Sequence, residues 1–174
     1  FLTTDQVWLG KLQKARHGGV MQFPGFIRPA SSGDIPAIDA LLKAAFGGSE
    51  EVALVHALRR DGAIRGEQVI PLGDEIIGYY ALSAMKSPAG WLCLAPVAIA
   101  PGWQGRGHGR RLVSQLAVWA DQTQTVIAVL GAPAFYAKAG FVAAAAAALT
   151  SPYPVAQTLL AGAGGKVPPQ KLSE

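Results

Sequence analysis

The sequence predicts one α/β domain built on a mixed sheet. Three observations carry that expectation. Strand-like and helix-like patterns alternate along the chain in the order β-α-α-β-β-β-α-β-α-β-β. Residues 91–99 (Trp-Leu-Cys-Leu-Ala-Pro-Val-Ala-Ile) are an almost unbroken apolar run, as a strand covered on both faces requires. The chain has 174 residues, of which 51% are hydrophobic and 15% charged, enough apolar material for a single core.

Each element has a local reason. Residues 26–30 read as a first strand. Asp34 offers an N-cap and Pro36 a first-turn proline, ahead of Ile35, Ile38, Leu41, Leu42, Ala45 and Phe46 at helical spacing. Gly47-Gly48 ends that helix and Ser49 opens another. This second helix has Glu50 and Glu51 at its positive end, Arg59 and Arg60 at its negative end, and Leu54, Val55 and Leu58 on its apolar face; Gly62 stops it. Residues 67–72 and 76–84 flank a Gly73-Asp74 turn as a hairpin, and Pro71 marks an edge or a bulge in its first arm. A helix over 109–121 places Leu112, Val113, Leu116, Ala117 and Ala120 on one face. Residues 125–130 form a short buried strand, 133–138 a short helix, and 141–142 and about 157–160 the last strands. The tail from Gly162 onward, rich in Gly and Pro, reads as irregular.

Composition excludes several classes of function. The net charge of +4 is small, and no basic stretch is interleaved with aromatics, so no nucleic-acid partner is expected. One cysteine, Cys93, allows neither an intrachain disulfide framework nor a cysteine-based zinc site, and no metal is expected. No apolar run approaches the ~18 residues of a membrane span, and no secretory leader pattern opens the chain. A cytoplasmic domain is therefore expected. The chain begins at Phe1, and residues 1–20, with Lys11, Lys14, Arg16 and His17 against the single acid Asp5, read as a vector-derived or upstream-translated segment. Residues 1–25 are accordingly taken as an extension, in which residues 6–15 could form a short docked helix. Residues 26–165 are taken as the domain and 166–174 as a tail.

The most informative segment is residues 101–111, Pro-Gly-Trp-Gln-Gly-Arg-Gly-His-Gly-Arg-Arg, between the apolar strand and an amphipathic helix. Glycines there let the backbone turn tightly and direct N–H groups into one concavity, where the helix start adds partial positive charge. Arg106, His108, Arg110 and Arg111 oppose the helix dipole, at a cost of about 0.3–1 kcal/mol for each exposed cation. A bound phosphate accounts for them; a flexible glycine turn with solvated arginines is the plainer reading. The loop lacks the Gly-Lys-Ser/Thr of a Walker A motif, and its glycines at 105, 107 and 109 do not give the Rossmann G-x-G-x-x-G spacing.

Gln104-x-x-Gly107-x-Gly109 instead resembles the acetyl-CoA pyrophosphate loop, Q/R-x-x-G-x-G/A, of the GNAT superfamily of acetyltransferases. The resemblance extends on both sides. Residues 94–101 (Leu-Ala-Pro-Val-Ala-Ile-Ala-Pro) look like the preceding strand in the YhbS-like branch of that superfamily. Residues 129–141 (Val-Leu-Gly-Ala-Pro-Ala-Phe-Tyr-Ala-Lys-Ala-Gly-Phe) are similar to its V-L-G-D-P-x-Y-Y-x-R-F-G-F block. Ser151-Pro152-Tyr153-Pro154 and Leu159-Leu160-Ala161-Gly162 fall where that branch has its closing strand. The likeness covers roughly residues 26–165.

It implies a GNAT-like fold: a mixed, mostly antiparallel six- to seven-stranded sheet, flanked by about four helices, whose fourth and fifth strands splay into a V. Pro96 agrees, since it cannot donate a ladder hydrogen bond and so suits a bulge where pairing lapses. An ordinary edge-strand proline is the alternative, which the apolar flanks disfavour. Backbone N–H groups of Val97, Ala98 and Ile99 would then be free for the pantetheine and thioester. Gln104, Gly105, Arg106, Gly107, His108, Gly109 and Arg110 would hold the pyrophosphate.

The resemblance implies direct acetyl transfer from acetyl-CoA to a primary amine. That chemistry needs a neutral amine, a donor for the oxyanion and a proton for the leaving thiolate. Tyr136 occupies the family's acid position, although core packing would also explain it. Phe135 stands where the branch often has a tyrosine and Ala132 where it often has an aspartate, so recognition near that turn should differ. Glu50 and Glu51 could line the acceptor groove, or serve only the helix dipole. Asp74 and Glu75 suit an exposed turn, His56 a helix surface, and Cys93 packing. The partner would be an amine-bearing small molecule or protein, and the enzyme a monomer or homodimer. Two other readings stand beside this one: a non-catalytic CoA-binding sensor or assembly module, and a protein using the loop for a free nucleotide.

Overall fold

A computed structural model of the protein describes residues 22–143, 149–150, 157–162 and 170–171. The expectations for residues 1–20, including the helix over 6–15, and for Ser151-Pro152-Tyr153-Pro154 lie outside the described residues. In chain order the strands are β1 (Arg28–Pro29), β2 (Ile64–Leu72), β3 (Glu75–Ala84), β4 (Leu92–Ile99), β5 (Ile127–Leu130), β6 (Val142–Ala143), β7 (Leu149–Thr150), β8 (Thr158–Ala161) and β9 (Gln170–Lys171). The helices are α1 (Ile35–Phe46), α2 (Glu50–Arg60), α3 (His108–Thr123) and α4 (Pro133–Lys138). Seven strands form one sheet in the order β1-β2-β3-β4-β5-β8-β6. Its neighbours are antiparallel except β4 and β5, which run parallel. The tail is not wholly irregular: β9 pairs in parallel with β7 as a separate two-stranded ribbon.

The sheet has a core on each face. On one face, Leu112 and Leu116 of α3, Tyr136 of α4 and Phe141 just before β6 pack against Ile77, Leu82, Leu94 and Val129. On the other, Ile38 and Leu42 of α1 and Val55 of α2 cover Val69, Tyr79 and Ala98. A smaller cluster of Met85, Ala128 and Leu160, with Cys93 and Trp91 packed on it, gives Cys93 the packing role expected of it.

Two local expectations move. The first strand shrinks from residues 26–30 to Arg28–Pro29, where it meets β2. Asp34 already has helical backbone angles (φ −82, ψ −14), so it is not the N-cap of α1 in the ordinary sense. Its carboxylate instead accepts from Ser31 N–H (2.8 Å) and from both Nη1 (2.7 Å) and Nη2 (2.8 Å) of Arg28. The forked ion pair draws the side chain toward β1, and a 3-10 turn, Ser32–Asp34, leads into the helix.

Pro96 lies in a bulge. Tyr80 pairs with Val97 and Leu82 with Leu94, so Ala81 alone opposes both Ala95 and Pro96. The extra residue reverses the alternation of β4. Leu92 and Leu94 face the α3–α4 core upstream of it, whereas Val97 and Ile99 pack on that core downstream and Ala98 turns to α1 and α2.

Candidate active site

β4 is paired on both edges only at its start. Leu92 and Cys93 pair with Ile127 and Ala128 of β5, and no register continues beyond them. From Leu94 to Ile99 the strand is bonded to β3 alone, and a cleft opens toward β5. Ala100 N–H donates to Ile77 O (2.8 Å) on the β3 side. Because backbone groups two residues apart point the same way, Ala98 also faces β3, whereas Val97 and Ile99 aim theirs into the cleft. Of the three donors expected here, two face the opening and Ala98 is committed to the ladder.

The cleft ends at the glycine loop. Gln104 Nε2 donates to Ile99 O at 3.0 Å, tying the loop to the last carbonyl of β4. Gly105 (φ +72) and Gly107 (φ +84) adopt left-handed backbone conformations, and a Cβ on either would meet nothing within 4 Å. Conformation rather than crowding demands glycine at both positions. Gly107 precedes the first residue of α3, and the first backbone bond of that helix runs from Arg111 N–H to Gly107 O (3.0 Å). Among the described residues no backbone acceptor takes the N–H of Gly105, Arg106, Gly107, His108, Gly109 or Arg110. Six N–H groups without a backbone acceptor therefore cluster at the positive end of a 16-residue helix.

The cations around it are arranged, not merely present. Arg106 lies over the Trp103 ring, its guanidinium carbon 5.0 Å from the ring centroid, and Trp103 meets His108 edge-on at 5.6 Å. This tryptophan contact is a feature that the loop motif alone does not show. Burial, with Arg111 and Arg106 adding to it, pushes the His108 imidazole below its ordinary value, so it stands neutral at about pH 7. No carboxylate among the described residues pairs with Arg106, Arg110 or Arg111. An anionic diphosphate matches both the donors and the charge.

α4 brings an aromatic side chain to the end of β4 and the start of α3. A Cβ on Gly109 would sit 3.3 Å from Phe135 Cζ and 3.5 Å from Ile99 Cγ1, so the Phe135 ring reaches the start of α3 and the end of β4. Its neighbour Tyr136 stands on the β5 side, over Gly131. Tyr136 is 8% exposed and has edge contacts with Phe135 (5.0 Å) and Phe141 (5.7 Å). Its hydroxyl has no hydrogen-bond partner among the described residues, and burial raises its pKa above the ordinary phenol value. Burial thus favours the protonated form of this phenol.

The acceptor-side candidates separate. Glu50 is exposed, whereas Glu51 is partly buried and its inaccessible Oε2 has no hydrogen-bond partner. His56 pairs with Asp39 (2.9 Å) across α1 and α2, Asp74 lies in the exposed hairpin turn, and Glu75, expected there too, is the exposed first residue of β3. The pattern did not reveal a network beneath α2: Arg59 Nη2 donates to Glu67 Oε1 (2.6 Å), and Tyr79 Oη donates to the same oxygen (2.6 Å). Burial, then Glu67, keeps that tyrosine protonated. Glu67 alternates with glycine and glutamine on β2, which gave no sign that it faced a core.

The acetyltransferase (GNAT) domain family matches residues 63–143, the stretch from β2 through β6. Escherichia coli YhbS, an N-acetyltransferase, is 36% identical over 118 residues, covering 64% of this chain and 70% of the relative. The crystal structure of YhbS in complex with CoA superposes with a TM-score of 0.76 and 27% identity, over 91% of this chain and 94% of that one. A Brucella melitensis GNAT acetyltransferase crystallised with acetyl-CoA shares the fold, with a TM-score of 0.70 and 23% identity over 86% of this chain and 94% of its own. No described helix is long and apolar enough to cross a membrane. With its splayed parallel pair, amide-lined loop and these relatives, the chain belongs to the GNAT family of N-acetyltransferases.

Proposed function

We propose that the protein transfers acetyl from acetyl-CoA directly to a primary amine, within a complex that holds both substrates. One observation carries this reading: the unpaired edge of β4 runs into a loop whose N–H groups lack acceptors. The N–H groups of Gly105 through Arg110 hold the diphosphate, with Arg106 and Arg110 balancing its charge. Val97 and Ile99 offer backbone groups to the pantetheine arm and the thioester carbonyl. The amine nitrogen bonds to the carbonyl carbon, the carbon–sulfur bond breaks, Tyr136 Oη gives its proton to the departing sulfur, and the proton shed by the nitrogen passes to solvent water, from which the phenolate regains one. Glu51, with its unsatisfied Oε2, is the better of the two acidic candidates for meeting the acceptor amine, and Glu50 the weaker.

We take residues 26–165 as the catalytic domain, acting as a monomer or homodimer. A cytoplasmic location suits a chain whose single cysteine cannot close an intrachain disulfide.

Thiol release from acetyl-CoA, measured against a panel of amines, tests the proposal. Turnover is expected with at least one amine, and Tyr136→Phe should lower kcat by about 10²-fold or more with little change in KM for acetyl-CoA. Because burial raises the Tyr136 pKa, the alkaline fall in kcat should lie above pH ~10, the ordinary phenol value, and disappear in the variant. Unchanged turnover in Tyr136→Phe removes the tyrosine from the chemistry. A non-catalytic CoA-binding module is the second reading, favoured by Ala132 and Phe135 in place of polar side chains. It predicts calorimetric binding of CoA without thiol release.

A further inference from the structure

We infer that Gly131 is a positioning residue for the Tyr136 hydroxyl: its missing side chain is the space in which the tyrosine ring stands at the end of β5. The inference rests on the proton-donor role proposed for Tyr136. A Cβ on Gly131 would lie 2.6 Å from Tyr136 Cε2, 3.4 Å from Cδ2 and 3.5 Å from Cζ, where ordinary contact is 3.4–4 Å. The overlap falls on one edge of the ring, beside the carbon that bears the hydroxyl.

Both sides are held by their neighbours. Gly131 N–H donates to Gln157 O (3.1 Å), next to the Leu130–Thr158 pair, which ties its backbone to β8. The ring is bounded by the edge contacts with Phe135 and Phe141. The Tyr136 carbonyl accepts from Ala139 N–H (3.1 Å) and Phe141 N–H (3.0 Å), which holds the backbone that carries the ring. A methyl group at 131 must therefore swing the ring by about 1 Å, a misplacement large enough to cost about 10²-fold in rate.

Gly131→Ala, Tyr136→Phe, the double variant and the parent protein together test this. Gly131→Ala should lower kcat about 10- to 100-fold and leave KM for acetyl-CoA within about threefold. It should cost nothing further in the Tyr136→Phe background, because the same overlap then displaces a ring without a hydroxyl. An unchanged kcat in Gly131→Ala, or an equal loss in both backgrounds, overturns the inference. If Tyr136→Phe alone keeps full turnover, the proton-donor reading fails and the inference falls with it. Should Gly131→Ala melt too low for assay, adding Tyr136→Leu removes the ring and should restore the melting temperature to that of Tyr136→Leu alone. A double variant as unstable as Gly131→Ala overturns the inference by that route.

Discussion

Helices α2 and α3 begin in opposite ways. α2 has Glu50 and Glu51 in its first turn and Arg59 and Arg60 in its last, so the charges complement the dipole at both ends. α3 has no acid in its first turn and no base in its last, and it starts with a left-handed glycine followed by Arg110 and Arg111. The first arrangement stabilises a helix on its own. The second leaves N–H groups unbonded and adds like charge to a positive end, a cost of about 0.3–1 kcal/mol for each exposed cation. The difference separates a helix whose end charges serve folding from one whose start carries charges that folding does not explain.

That contrast breaks if charge reversal at α3 behaves like charge reversal at α2. Arg110→Glu should weaken CoA binding by about 10- to 100-fold by calorimetry, as a cation facing the diphosphate is replaced by a repelling charge. The same change should raise the stability of the ligand-free protein by about 0.3–1 kcal/mol, read from its melting temperature. Opposite signs in the two measurements are the signature of a binding site; a loss in both would make Arg110 structural.

The start of α1 calibrates the scale. Asp34→Asn removes the charged, two-oxygen acceptor of Arg28 and should cost about 1 kcal/mol in denaturant unfolding. The Arg28 guanidinium, aided by Ser31, holds the Asp34 carboxyl well below the usual carboxylate range. Its contribution is therefore full above about pH 4, the unfolded value, and fades as pH falls below it. The variant should lose that part of the acid-side slope. The smallest effect belongs to α2: Arg60→Glu, on an exposed side chain, should cost at most about 1 kcal/mol and leave CoA affinity unchanged. A change in affinity there would blur the contrast between the two helices.

Elements with strong local signals were legible in the sequence. α4 falls on the residues expected of it because Pro133 opens it and its block has a distinctive pattern. The bulge at Pro96 was legible because proline cannot donate to a ladder, and an apolar run argues against an edge. The direction of each backbone donor was not: Ala98 looked equivalent to Val97 and Ile99 until pairing with β3 set the alternation. Asp34 was misread because its partner, Arg28, arrives from another element. The Trp103–Arg106 stack, the Arg59–Glu67–Tyr79 network and the contact between Gly131 and the tyrosine ring share that property. Each depends on where side chains meet in space, which periodicity does not encode.

The doubled residue opposite Ala81 has one more consequence. It makes β4 a strand of two phases, in which the same parity of residue number faces opposite layers upstream and downstream. Deleting one residue there would not merely shorten the strand. It would turn the Val97 and Ile99 side chains toward α1 and α2 and rotate the cleft-facing amides into the ladder. The sheet's two cores and its opening are thus locked to a single count of residues, and a length change at this point should be far less tolerable than any side-chain exchange beside it.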